Sequence, residues 1–279
     1  MGTTDQPLLG ESWRTDLFDI PAYLSAVDVH PSEPTLELLE ELHGKHVRTF
    51  PFGNVDVLLG AHPGVAPDVV QNQLVRRRRG GYCFEHAQIF AAALEHLGFS
   101  VRRALGRVHE LTNTRTHMAV HVEIDGERWL CDPGFGFSIT GPIALKDGAV
   151  RVEGDRAFGM RELTDQGNTV WALTRGGKAE HYADESPVHP ADVRAGHFVT
   201  SREENSPFVN HLMVMRHMPY AHVTLTESAR TVRAPGRETE HTELSVAEVV
   251  DTVLELGIML DEEEVDALTA VVTRLRKNG

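Results

Sequence analysis

The hydrophobic positions change period twice along the chain. Over residues 21–98 they recur at helical spacing. Leu36, Leu39, Leu42 and His46 share one face behind Ser32 and Pro34, which read as a helix start, and the run stops at Pro51. A second helix is predicted over 67–79, ending at Gly80-Gly81. A third begins at Cys83, where Cys83, Ala87, Phe90, Leu94 and Leu97 step by 4, 3, 4 and 3 residues and Gly98 supplies the C-terminal cap. Cys83 thereby falls in the first turn of a helix.

From Phe99 the period becomes two. Residues 117–124 place Met118, Val120, Val122 and Ile124 on one face and His117, Ala119, His121 and Glu123 on the other. Asp125-Gly126 reads as a two-residue hairpin turn, which pairs His121 with Leu130, Val120 with Cys131 and Ala119 with Asp132. Asp132 then shares a face with His117 and His121, its two diagonal neighbours, and either could serve as a base beside it. Parity sends Cys131 to the opposite face beside Val120 and Trp129, as a core thiol. Further strands are expected near 149–152, 169–173 and 222–226. The chain closes with two helices opened by the capping-box spacings Ser245/Glu248 and Asp261/Glu264, running to about Leu256 and Lys277.

Composition narrows the class of partner. The 279 residues are 24% charged and 41% hydrophobic, an ordinary globular balance, and long enough for more than one packed subregion. A formal net charge of -14 points away from nucleic acid and anionic membranes as main partners. The one dense basic block, the arginine run 76–79, reads as the solvated C-terminal end of a helix. The first fifteen residues lack the apolar core of a signal peptide, and no stretch approaches a membrane span, so a cytoplasmic protein is expected. Two cysteines fit a reducing compartment. Sixteen histidines invite a metal site. Neither HExxH nor paired CxxC spacing occurs, His43/His46 and His117/His121 are the nearest approximations, and no metal is expected.

Cys83 brings chemistry to this frame. The thiolate is the reactive form of cysteine, and a helix N-terminus together with an imidazolium favours it. Gly80-Gly81 lets backbone approach a substrate, and free N–H groups at the helix start can hold an oxyanion. Nucleophile, base and orienting acid are thus all supplied.

The segment Arg79-Gly80-Gly81-Tyr82-Cys83-Phe84-Glu85 resembles the nucleophile motif of the arylamine N-acetyltransferase family. Thr116-His117 resembles its histidine segment, and Trp129-Leu130-Cys131-Asp132-Pro133-Gly134-Phe135-Gly136 its aspartate segment. Phe18-Asp19-Ile20-Pro21-Ala22-Tyr23-Leu24, the segment 51–60 and Ser206-Pro207-Phe208-Val209-Asn210 match in the same order. The resemblance implies an α+β fold with a papain-like cysteine-histidine-aspartate core. Residues 1–98 would form a helical bundle carrying the cysteine, 99–200 a β-barrel carrying histidine and aspartate, and 201–279 an α/β lid. It implies Cys83 as nucleophile, His117 as base and Asp132 as orienting carboxylate, with His121 a mere same-face neighbour. Phe52, Phe135 and Phe208 would line the acceptor pocket, and Thr116 and Gly136 would lie near the coenzyme. Acetyl-CoA would be the acyl donor in a ping-pong reaction, and an arylamine, arylhydrazine or N-hydroxyarylamine the acceptor. A homodimer is compatible with this reading.

Two departures from the family pattern stand out. Gly53 replaces the usual glutamate, so Arg79 must find another acceptor, a backbone carbonyl or Glu85. Cys131 and Pro133 flank the aspartate where relatives carry small or aliphatic residues, and Pro133 restricts Asp132 to extended backbone. The nearest rival function is an amide synthase closing a macrolactam from a carrier-bound polyketide. More distant rivals are a thiol hydrolase or transglutaminase-like enzyme and a non-catalytic binding module.

Overall fold

Side-chain caps decide where the N-terminal helices begin. In this computed structural model, which describes residues 13–278, Asp19 accepts the Ala22 N–H at 3.1 Å to open α1 (Ile20–Val27). Thr35 accepts the Leu38 N–H at 3.3 Å to open α2 (Leu36–Thr49), so the cap is Thr35 rather than the expected Ser32. The reading of the first fifteen residues as free of a leader lies mostly outside the described residues. A short strand β1 (Phe52–Gly53) and α3 (Val55–Leu58) follow. The helix expected over 67–79 is shorter: α4 (Pro67–Gln71) passes into one π-helical turn at Asn72–Arg76, and Arg78 (φ 51°) and Gly80 (φ 68°) leave the helical path. That exit turns Arg79 inward, away from solvent.

α5 (Cys83–His96) is the centre of the N-terminal region. Every residue from 83 to 94 is buried, and Phe84, Ile89, Phe90 and Leu94 are wholly so. Each such side chain contributes roughly 1.5–3 kcal/mol through burial. The helix ends as expected, with Gly98 at φ 90°.

The middle of the chain is an antiparallel sheet of eight strands: β2 (Ser100–Val108), β3 (Arg115–Ile124), β4 (Glu127–Cys131), β5 (Ile143–Ala144), β6 (Val150–Glu153), β7 (Arg156–Asp165), β8 (Asn168–Arg175) and β9 (Lys178–Asp184). Their order is β5-β4-β3-β2-β9-β8-β7-β6, with the two edge strands brought together so that the sheet nearly closes on itself. The β3–β4 register is the expected one: Ile124 faces Glu127, His121 faces Leu130 and Val120 faces Cys131, around a turn with φ 52° at Asp125 and φ 80° at Gly126. Cys131 packs with Val120, Val122 and Trp129 against α5, while Ala119 and Leu130 face the barrel interior with Phe158, Met160 and Trp171.

After α6 (Pro190–Arg202) and α7 (Pro207–Asn210), a second sheet is built from β10 (Val214–His217), β11 (His222–Leu225), β12 (Ala229–Arg233) and β13 (Glu240–Glu243), with β1 pairing onto β10. Two helices, α8 (Val246–Glu255) and α9 (Glu262–Asn278), pack on it through Val249, Val253, Leu268 and Val272. Both carry the anticipated reciprocal caps: Ser245/Glu248 at 2.7 and 3.3 Å, Asp261/Glu264 at 3.0 and 2.9 Å. No helix among the described residues is long and apolar enough to cross a membrane.

Candidate active site

Gly80 and Gly81 bring the start of α5 against the 51–53 segment. A Cβ on Gly80 would lie 2.7 Å from the Pro51 carbonyl oxygen, and Gly81 accepts the Gly53 N–H at 2.7 Å. A buried chain of hydrogen bonds fixes the same loop from behind. Tyr23 Oη donates to His46 Nδ1 at 2.8 Å, His46 Nε2 to His86 Nδ1 at 2.8 Å, and His86 Nε2 to the Gly81 carbonyl at 3.2 Å. The fixed carbonyl at one end assigns both tautomers. Glu85 accepts the Tyr82 N–H at 3.3 Å and contacts His62 Nε2 at 2.6 Å.

Cys83 is buried, and its thiol donates to the Thr116 carbonyl at 3.4 Å, also meeting the Met118 backbone. The sulfur thus rests on β3 at the two residues flanking His117. Burial, foremost, pushes the thiol up, with Glu85 and Asp132 adding to the effect against the backbone contacts at Met118 and Phe84. The lowering expected from the helix N-terminus is therefore outweighed at rest.

His117, on β3, and Asp132, one residue past β4, meet as their strand face predicts: His117 Nε2 lies 2.9 Å from Asp132 Oδ1. His121, on the same face, is buried as packing and is not in contact with the carboxylate; burial pushes its pKa down to about 4. Asp132 Oδ2 accepts Ser138 Oγ at 2.8 Å and His181 Nε2 at 3.2 Å. Burial acts to raise the Asp132 carboxyl, but its imidazole partners together outweigh burial and hold it well below the usual range. Ser138 and His181 were not anticipated. His181 lies on β9, in a strand with no apolar alternation to announce it, and reaches the site because β9 pairs with β2. Gly106 of β2 faces both His117 and Ala183, carries no side chain and borders a bulge, so imidazoles from either side converge over it. Among the described residues, His117, Asp132 and His181 are the grouping whose geometry could also hold a metal. Within it the Nε2 atoms of His117 and His181 lie 2.9 and 3.2 Å from the two Asp132 oxygens.

Aromatic rings cluster in the same region as Cys83 and His117. Phe135 meets His117 edge-on at 5.0 Å, Phe52 meets Phe208 at 6.0 Å, and Phe208 meets Tyr82 at 5.0 Å. Gly136 (φ 83°) lets its loop lie on Phe52 and accepts His222 Nε2 at 3.0 Å. Beyond it, Arg156, Arg175 and Arg233 all lie within 5.2 Å of the Phe137 ring, beside a cavity of about 320 Å³.

Arg79 corrects two expectations. It is buried rather than solvated, and of the two acceptors expected for it a backbone carbonyl is found, that of Met259, while Glu85 is not among its partners. It pairs with Asp56, and also donates to Glu264 Oε2 at 2.6 Å and the Met259 carbonyl at 2.8 Å. A Cβ on Gly53 would lie 2.8 Å from Ile258 Cδ1, so a side chain there requires that methyl group to move. The carboxylate has shifted three residues along the segment.

The site thus holds a buried thiol, an imidazole and an ionised carboxylate in this order on a helix-then-barrel scaffold, the arrangement that the resemblance implied for an acyltransferase. A family model described as N-acetyltransferase matches residues 35–265. The arylamine N-acetyltransferase / N-hydroxyarylamine O-acetyltransferase of Salmonella typhimurium is 34% identical over 209 residues, 71% of this chain and 73% of that protein. The arylamine N-acetyltransferase of Mycobacterium bovis is 31% identical over 85% of this chain and 88% of its own length. The crystal structure of the Nocardia farcinica arylamine N-acetyltransferase superposes with a TM-score of 0.89 at 29% identity, covering 96% of this chain and all of that one, 100%. The Mycobacterium marinum enzyme in complex with CoA superposes at 0.82 and 28% identity, covering 92% and 99%. The chain belongs to the arylamine N-acetyltransferase family.

Proposed function

We propose that Cys83, His117 and Asp132 transfer the acetyl group of acetyl-CoA to the nitrogen of an arylamine or arylhydrazine. The observation that carries this reading is the seat of Cys83 Sγ on the backbone either side of His117, with the His117 ring held against Asp132. Because Nε2 faces the carboxylate, Nδ1 is the nitrogen left to accept the thiol proton. The thiolate attacks the thioester carbonyl, an acetyl–sulfur bond forms at Cys83, and the coenzyme thiol leaves with the proton from His117. The amine nitrogen then attacks the acetyl-cysteine, His117 takes the amine proton, and Cys83 is released as thiol. Asp132 keeps the imidazolium oriented and stabilised throughout.

The aromatic cluster of Phe52, Phe135 and Phe208 suits a flat acceptor. The guanidiniums around Phe137, one loop residue beyond Gly136, suit a polyanionic donor, and Thr116 and Gly136 are carried forward as residues near the coenzyme. The relatives favour acetyl transfer over macrolactam closure. We carry forward the three-part division at 98 and 200, a cytoplasmic location and a homodimer as part of the same reading.

Intact-mass spectrometry after brief exposure to acetyl-CoA tests it. One acetyl group is expected, mapping to Cys83, absent in Cys83→Ser and removed by hydrazine or an arylamine. Acetylation of a lysine, or none, overturns the assignment.

A further inference from the structure

The catalytic carboxylate has two imidazoles, and the reading above uses one of them. His181 is completely buried; its Nε2 lies 3.2 Å from Asp132 Oδ2, and its Nδ1 meets no hydrogen-bond partner among the described residues. Its ring centroid is 4.5 Å from that of His117 and 5.6 Å from that of Phe135. An ionised carboxylate can only accept, so a ring whose single partner is Oδ2 must carry its proton on Nε2. The two oxygens are thereby divided: Oδ1 faces His117, while Oδ2 is saturated by His181 and Ser138.

We infer that His181 is a positioning residue for the acyl-transfer triad, a neutral Nε2–H donor that fixes the Asp132 carboxylate with Oδ1 towards His117 and sets how strongly that carboxylate attracts a proton. The inference rests on the assignment of Cys83, His117 and Asp132 given above. Two imidazolium rings this close on one carboxylate would repel, so a single positive charge is accommodated, and in the proposed reaction it forms on His117, whose backbone neighbours hold the thiol. Burial, foremost, and then the proximity of His117 push the His181 pKa down against the pull of Asp132 and Glu180, which keeps it the neutral partner. Other titratable groups close enough to act on this pair are His43 from α2, Cys83 from α5, His121 from β3 and Cys131 from β4.

The direction of the effect follows. A carboxylate that loses a donor becomes more basic, towards bulk protons and towards His117 alike. His181→Phe keeps the bulk and removes the donor, so in the pH profile for iodoacetamide alkylation of Cys83 the alkaline limb, at which the His117 imidazolium loses its proton, moves to higher pH, while the acidic limb, at which the thiol ionises beside an imidazolium present on both sides of the step, stays in place. His181→Gln, whose amide restores an N–H near the Nε2 position, returns the alkaline limb towards wild type. A ring that only fills space would lower the rate without moving that limb, and that result overturns the inference. His117→Phe is the control for the triad itself. If it leaves the alkylation profile unchanged, the triad assignment fails; if it removes the profile while His181→Phe superposes on wild type, only the role of His181 fails. A second measurement needs no variant. Nitrogen-15 NMR of histidine-labelled wild-type protein is expected to show His181 as the neutral Nε2–H tautomer across pH 7–9, and an Nδ1–H tautomer or a protonated ring at pH 7 overturns the proposal.

Discussion

Gly134 presses bare backbone onto Cys83. A Cβ on Gly134 would lie 2.6 Å from the Cys83 Cα, 3.2 Å from its carbonyl oxygen and 2.9 Å from the Cβ of His86. The loop that follows Asp132 is therefore seated on the first turn of α5. Two segments far apart in the chain are held at fixed separation by the absence of one methyl group. None of the three neighbouring atoms is the free end of a flexible side chain, so none can swing aside.

Gly134→Ala should accordingly push the carboxylate loop off the helix start. The expected cost is about 1–3 kcal/mol of stability, from overpacking. Acetyl-Cys83 formation should slow by roughly tenfold to a hundredfold, because a displacement near 1 Å at reacting groups has that effect. Urea denaturation and quenched-flow mass spectrometry read the two quantities. Wild-type values in both would show that the close approach is dispensable.

The Arg79 cluster should matter to stability more than to chemistry. Asp56 is buried and pairs with Arg79 and Gln73, while Glu264 from α9 is partly exposed. Arg79→Met would leave Asp56 charged and buried beside Gln73 alone, costing about 3–5 kcal/mol. Glu264→Ala should cost about 1 kcal/mol or less, since solvent reaches that carboxylate. Denaturant midpoints of the two variants test the ranking, and equal losses would contradict it.

What the sequence disclosed and what it hid separate by range. The start of α5, the Asp125-Gly126 turn, the opposite faces of Cys131 and Asp132, and the caps at Ser245 and Asp261 are each set within a few residues, and their patterns were legible. His181 was not, because its approach to Asp132 depends on β9 pairing with β2 across more than seventy residues. Asp56 was missed for the opposite reason. A familiar motif directed attention to position 53 and its missing glutamate, while the compensating carboxylate stood three residues on. The π-helical turn at Asn72–Arg76 likewise had no mark in the apolar spacing; it lies three residues before the buried Arg79.

The two cysteines should differ sharply in reactivity. Both are buried, and burial pushes both thiols up, but Cys131 faces the packing between β4 and α5, whereas Cys83 opens α5 and donates to the β3 backbone next to His117, the base of the proposed reaction. Iodoacetamide should label Cys83 alone in the native protein and both residues in denaturant. Peptide mapping after a short pulse at pH 7 distinguishes the outcomes, and comparable native labelling of Cys131 would place it outside the core.

Buried histidines should make the fold acid-sensitive well above the carboxylate range. His43 on α2 has no exposed surface, and its ring lies 5.5 Å from that of Phe90. Burial, foremost, and then repulsion from Arg151 push its pKa down to about 4, against the pull of Asp132 and Glu153. In the unfolded chain the same ring titrates near 6.5. Between those two values the unfolded state binds the extra proton, so this contribution to stability is complete above about pH 6.5 and is lost as the pH falls towards 4. A loss of about 3 kcal/mol by pH 4 is expected from this one residue. His43→Leu removes the titrating group at similar volume. The variant should therefore match wild type or exceed it at pH 8, and the gap in its favour should widen steadily down to pH 4. Urea midpoints for the two proteins at half-unit pH intervals measure that gap directly. The slope left in the variant reports the other buried rings, His121 among them. Parallel curves would mean that His43 holds its proton equally in both states, which a ring sealed between α2 and Phe90 cannot do without carrying an uncompensated charge into the core.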